Sequence, residues 1–236
     1  MNIEEVTIGK IAVAGLLFNS LTPYNFSLAK FRKATGDKLD LTIQEHRGAL
    51  LDWLNAWGCR HLSKKNHQVA SEGILDWYQS DCATLFSYET LLWQLEDQEI
   101  NTATDAYGSL KDRIGARHYR HGNKLEAHIG PTAASKILFA IRPKTLMPWD
   151  EAMRIAFKCD GSPESYVRYQ KIIRKLALHI RDLCEERGFQ IDDLPQRLGR
   201  PNSTVLALIN EYIWVTVTRK IKLPSSETLT QWTSLG

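Results

Sequence analysis

The sequence predicts a mostly helical, all-α protein, and two patterns carry that prediction. Apolar residues recur three and four positions apart in most segments, which places them on one face of a 3.6-residue helix. Helix starts are marked by Gly130-Pro131 and Ser162-Pro163, where proline suits the first helical position. Against them stands the β-branched run Trp214-Val215-Thr216-Val217-Thr218, which favours a strand locally. One strand without a partner gains little, so continuation of a helix through this run stays open.

In chain order, helical patches run from Ile8 to Phe18 and from Ser27 to Ala34, separated by a loop at Leu21-Thr22-Pro23-Tyr24-Asn25. From about Thr42, the residues Ile43, Leu50, Leu51, Leu54 and Trp57 keep helical spacing, and Gly58 is placed to end that helix. Trp53 and Trp57 lie four apart and share a face, the pattern of a packed core stripe. A basic loop, Arg60 to His67, leads to an amphipathic helix carrying Val69, Ile74, Trp77 and Tyr78. A further helix is expected from about Ala83 to Leu95, then an acidic connector at 96–99. Ser162 and Pro163 open a long helix with Tyr166, Tyr169, Ile173, Leu176, Ile180 and Leu183 on one stripe, which Gly188 closes. Its other face is basic, with Arg168, Lys171, Arg174, Lys175 and Arg181. Ile191–Leu198 reads as a short helix, Asn202-Ser203 as the cap of another, and the stretch from Pro224 as a polar, loose end.

The chain is organised around residues 126–157, EAHIGPTAASKILFAIRPKTLMPWDEAMRIAF. Gly130 permits positive φ, Pro131 starts a helix, and Pro143 stops that helix near Ile141 by barring αR from Arg142. A second helix begins at Asp150, whose carboxylate takes the N-cap place. The first helix start presents unpaired backbone N–H groups, whose natural ligand is an anion such as a phosphate. Just before it, residues 111–124 hold five basic side chains and two histidines against one acid. A run of this kind is commonly a solvated face, but beside an anion-binding turn it points to phosphate contact.

Composition sets the outer limits. With 236 residues, 43% hydrophobic, and seven tryptophans, the chain can bury a proper core. The formal net charge of +3 says little by itself about nucleic acid. No apolar run reaches membrane-spanning length, and the start lacks the basic region of a secretory signal, so a cytoplasmic protein without a membrane partner is expected. The four cysteines, Cys59, Cys82, Cys159 and Cys184, show no paired spacing, so no metal site, cofactor or disulfide framework is expected. No obligate protein partner is evident.

The central stretch resembles the helix-hairpin-helix DNA glycosylase superfamily, whose hairpin ends on a glycine about twenty residues before an aspartate that opens the next helix. Gly130 stands for that glycine and Asp150, twenty positions on, for the catalytic acid. Arg154 resembles the arginine that follows the acid by about a turn. The match departs from the family at the first hairpin glycine, replaced by His128, at the Leu-Pro, replaced by Glu126-Ala127, and at the Asp-x-His, which here reads Asp150-Glu151-Ala152. Four closely spaced cluster-binding cysteines of some relatives are absent.

The resemblance implies two helical lobes with the active-site cleft between them. One spans about 42–150 and ends in the hairpin (126–136) and catalytic loop; the other combines 1–41 with 151–236. It implies an enzyme that flips a damaged or modified base out of duplex DNA and cleaves its N-glycosidic bond, leaving an abasic site. Asp150 would stabilise the sugar cation. The family's usual lysine, two residues after the last hairpin glycine, is Thr132 here, so hydrolysis without strand cleavage is expected, unless Lys136 or Lys124 reaches the sugar. Backbone amides at Gly130, Thr132 and Ala133, with Lys136, would hold phosphates, and Arg117, Arg120 and Lys124 would add charge. Trp149, Trp53, Trp57 and Tyr119 are candidate walls of a base pocket, each also a plausible core residue. A role in phage defence, against invading DNA with hypermodified cytosine, fits the divergence. The competing reading is a helix-hairpin-helix module that binds DNA without chemistry.

Overall fold

The computed structural model describes residues 2–36, 38–120 and 123–233. It is mostly helical, as the spacing predicts. The helices are α1 (Ile8–Leu21), α2 (Tyr24–Thr35), α3 (Gln44–Ala56), α4 (His67–Ser80), α5 (Asp97–Ile100) and α6 (Ala103–Asp112); after a two-stranded antiparallel ribbon, β1 (Ile114–Arg120) and β2 (Asn123–His128), come α7 (Gly130–Ile141), α8 (Glu151–Ala156), α9 (Pro163–Glu185), α10 (Leu194–Arg197), α11 (Val205–Ile213) and α12 (Ser226–Thr233). Their buried side chains form one contiguous core in which α1 packs on α11, α2 on α3, and α6 on both α7 and α9.

Local signals mark most ends. Thr7, Ser162 and Thr204 cap α1, α9 and α11 by accepting the N–H of the residue three along. Gly58 and Gly188 adopt the positive φ that a helix exit needs. The cap of α11 is thus Thr204, two residues after the expected Asn202.

Four expectations change, and one alternative left open, at 214–218, is resolved. Residues 83–95 are not a helix: their backbone bonds elsewhere, with Leu92 N–H donating to the Lys144 carbonyl, and Arg142 and Thr145 donating to the Phe86 and Thr90 carbonyls. The acidic connector is partly helical, because Glu96 and Glu99 form a reciprocal capping box at the start of α5. Within the basic run, 114–120 and 123–124 lie in the β-ribbon, where Ala116 is buried against the body. The run Trp214–Thr218 is a π-helical continuation of α11, which spares it the need for a partner strand. The polar end, expected to be loose, holds α12.

One irregular stretch is buried deeply. Residues 142–150 link α7 to α8, and a buried loop must find partners for its backbone polar groups. α9 supplies them. Gln170, fully buried, brackets Met147 by accepting from its N–H and donating to its carbonyl, both at 2.9 Å. The hydroxyls of Tyr166 and Tyr169 donate to the carbonyls of Met147 and Pro148. Burial raises both phenols well above their ordinary range, which keeps them as neutral donors.

Candidate active site

Asp150 is where the loop ends and α8 begins. One carboxylate oxygen accepts the Met153 N–H at 2.8 Å and so caps the helix; the other accepts the Thr218 hydroxyl, also at 2.8 Å. Thr218 is the last residue of the π-helix, and a π-turn inside a helix re-aims the side chains that follow it. Two segments 68 residues apart therefore meet on one carboxylate.

The start of α7 lies beside it. Gly130 has φ of 77°, and no side chain caps the helix, so its first N–H groups remain open to a ligand. Trp149 fixes this helix start relative to Asp150: its indole N–H donates to the Pro131 carbonyl, and its backbone N–H to the buried hydroxyl of Ser135. His61 holds the turn through the Ile129 carbonyl at 3.0 Å.

Asp150 and the α7 start open into one cavity of about 670 Å³. Aromatic rings wall it: Tyr24 lies 5.5 Å from Trp57 and 6.0 Å from Trp214, and Phe18 meets Trp214 edge-on at 5.1 Å. Trp57 is pinned by its indole N–H, shared between the Tyr24 carbonyl and the Ser27 hydroxyl. Arg154 lines the cavity with an Nε that is buried and without a hydrogen bond. Arg219 reaches over the Trp214 ring. An aromatic-walled cleft with a few converging polar groups is the common form of a small-molecule or base site.

No family model, curated protein or solved structure matches the chain. The site is therefore read on its own chemistry.

Of the residues singled out from the sequence, Asp150, Gly130, Thr132, Ala133, Lys136, Trp57 and Trp149 line this cavity. Others do not. Trp53 stacks on Phe31 in the core, 5.2 Å between ring centroids, instead of walling the pocket. Tyr119 is 77% exposed on β1, in a stretch where 117–119 are all exposed. Trp149 borders the cavity but is 1% exposed and packed among Tyr107, Tyr166 and Tyr169, so it supports the site from beneath. Lys136 is not a surface phosphate ligand: it is 7% exposed, donates to the Trp57 carbonyl and lies 5.8 Å from the Trp57 ring. Burial pushes the neighbouring Cys59 thiol up, which Lys136 partly opposes.

Arg117 pairs with Glu126 across the ribbon at 3.0 Å, and Lys124, two residues away on the same strand, pairs with it at 2.7 Å. The side chain of Arg120 lies outside the described residues. Sequence reasoning missed Phe18, Tyr24, Asn210, Trp214 and Thr218. Only the β-branched run at 214–218 carried a local sign of unusual structure. No group of metal-ligating side chains is found among the described residues, and no helix among them is long and apolar enough to cross a membrane.

Proposed function

We propose that the chain is a DNA glycosylase that accepts a flipped base between its aromatic walls and hydrolyses the N-glycosidic bond beside Asp150. The observation that carries this reading is the convergence of an oriented carboxylate, an open helix start and an aromatic cleft in one cavity. Glycosidic cleavage builds positive charge on the sugar, and a carboxylate held next to C1′ in a water-poor site stabilises it. The C1′–N bond breaks with its electron pair leaving on the base. A water oxygen then bonds to C1′, and Asp150 takes the proton that this water loses. The α7 start and Arg154 supply the positive potential for the flanking phosphates. Flipping costs a few kcal/mol, which stacking against Trp57 and Trp214 offsets.

A non-catalytic DNA-binding module is the second reading, favoured by one observation. Both Asp150 oxygens already have structural partners. Base release separates the two. Wild type and Asp150→Asn are compared on DNAs carrying uracil, alkylated and oxidised bases, and hydroxymethylated or glucosylated cytosine. The enzyme reading expects release from at least one DNA and a loss of roughly a hundredfold or more in the variant. DNA binding by both proteins with no release from any DNA establishes the module instead.

A further inference from the structure

Two polar side chains in the cavity have hydrogen-bonding capacity that the protein leaves unused. Asn210 on α11 is 6% exposed and lines the cavity, yet no hydrogen bond engages its amide among the described residues. The amide is not among the unpartnered atoms sealed from solvent, so it opens to the cavity, where a ligand can complete its hydrogen bonds. Lys136 is equally buried. Its head carries three donors, of which the Trp57 carbonyl takes one, and no carboxylate pairs with it among the described residues. Both residues line the cavity that Trp57 and Trp214 also line.

Their positions differ in a way that orders the ligand. Lys136 sits on α7, little more than one turn beyond the phosphate-binding start, and so serves the sugar end of a nucleotide. Asn210 stands on α11, a different wall. Building on the glycosylase reading, we infer that the occupant is a 2-oxopyrimidine: Lys136 donates to O2, the carbonyl next to the glycosidic nitrogen, and Asn210 pairs with the donor–acceptor edge at N3 and position 4. A purine offers Lys136 only its ring nitrogen N3 in place of that carbonyl, and its fused ring sets the edge at N1 and position 6 farther from the sugar than a pyrimidine's edge. The inference also gives Lys136 a part in the chemistry. As the C1′–N1 bond breaks, its electron pair passes to the ring and is shared with O2. A donor on O2 is bound more tightly by that departing anion than by the neutral base, and this lowers the barrier. The released base then takes one proton from water.

Binding of the free bases uracil, cytosine, adenine and guanine is followed by tryptophan fluorescence for wild type, Lys136→Met, Lys136→Gln and Asn210→Leu, all checked for folding by circular dichroism. Release of uracil and cytosine from DNA is measured beside release of their 5-fluoro counterparts, which are better leaving groups. The pyrimidines should bind and the purines should not, and either substitution should weaken pyrimidine binding by about tenfold or more. Lys136→Met should slow release of the 5-fluoro base less than release of the parent. Purine binding equal to pyrimidine binding, no binding of any base, or variants that bind like wild type overturn the inference. Equal slowing of parent and 5-fluoro release removes Lys136 from the chemistry. Pyrimidine binding that depends on both residues, with no release from any DNA, overturns the glycosylase reading and leaves the recognition intact. Release undiminished by either substitution does the reverse.

Discussion

Asp150 caps α8, and on the proposed reading it also serves the chemistry, two jobs that substitution can separate. As an N-cap it accepts the Met153 N–H, a bond that asparagine also makes well and alanine cannot. Asp150→Ala should therefore lose about 1 kcal/mol of stability in denaturant unfolding, whereas Asp150→Asn should stay close to wild type while losing base release. A large stability loss in Asp150→Asn would mean that the carboxylate is mainly structural. Thr218 is the control on the other oxygen. Thr218→Val keeps the shape but removes the donor, leaving the carboxylate free to swing away from its present aim. Release should fall about tenfold or more with little change in unfolding midpoint, by the weight of one hydrogen bond to a charged group. The capping role of Asp150 was legible in the sequence because Asp150 and Met153 are three residues apart. Thr218 was not, since nothing local in a run of β-branched residues says which carboxylate it will meet.

At the scale of elements, the ribbon and the π-helix make separate demands. β1 lies so close to α4 that a Cβ on Gly73 would sit 2.7 Å from the Ile114 carbonyl, a contact backbone cannot relieve by a rotamer change. Gly73→Ala should cost about 1–3 kcal/mol in unfolding, as overpacking does, and a neutral outcome would show that ribbon and helix separate readily. The π-helix depends on one extra residue in the turn. Deleting Thr216 should restore α-helical register and rotate Thr218 off Asp150. Loss of release with helical content kept is the expected result, and retained release would deny the π-helix a role in the site. In the turn between α8 and α9, the Ser162 N–H and the hydroxyls of Ser162 and Ser165 hold the Asp160 carboxyl down at about 2 from its ordinary 3.8. Its folded value lies below its unfolded one. The contribution is thus complete above 3.8 and lost as the pH falls through about 2. The thermal midpoint of wild type should exceed that of Asp160→Ala at higher pH, and the gap should close across that window. Helices with capping residues were readable because those signals are local. The ribbon was not, because its residues are largely polar and exposed, with only Gly115 and Ala116 among the described ones buried, at its base beside a register shift, so no alternation marks it.

At the scale of the molecule, the proposed function turns on which cations are free to meet a phosphate. The sequence drew attention to the run at 111–124 because charge density is visible there, but charge pairing is not. Lys111 pairs with Asp112, Arg113 with Asp81, and Arg117 and Lys124 share Glu126, whose carboxyl they hold below its usual value. A cation already matched to a carboxylate releases fewer counterions when a phosphate arrives than an unmatched one does. Arg154 and Arg219, which border the cavity, have no such partner among the described residues. The aromatic walls were equally hidden from the sequence, since Phe18 and Tyr24 come to Trp214 from the opposite end of the chain. If the cavity is the DNA site, affinity for duplex DNA should fall steeply with salt. Arg154→Ala and Arg219→Ala should each reduce the slope of log affinity against log salt by about 1. Lys124→Ala should change it less, because that ammonium is already paired with Glu126 and so releases fewer counterions when a phosphate arrives. Equal effects of Lys124→Ala and Arg154→Ala would place the ribbon in the interface after all, and slopes unchanged by either arginine would move the DNA away from the cavity.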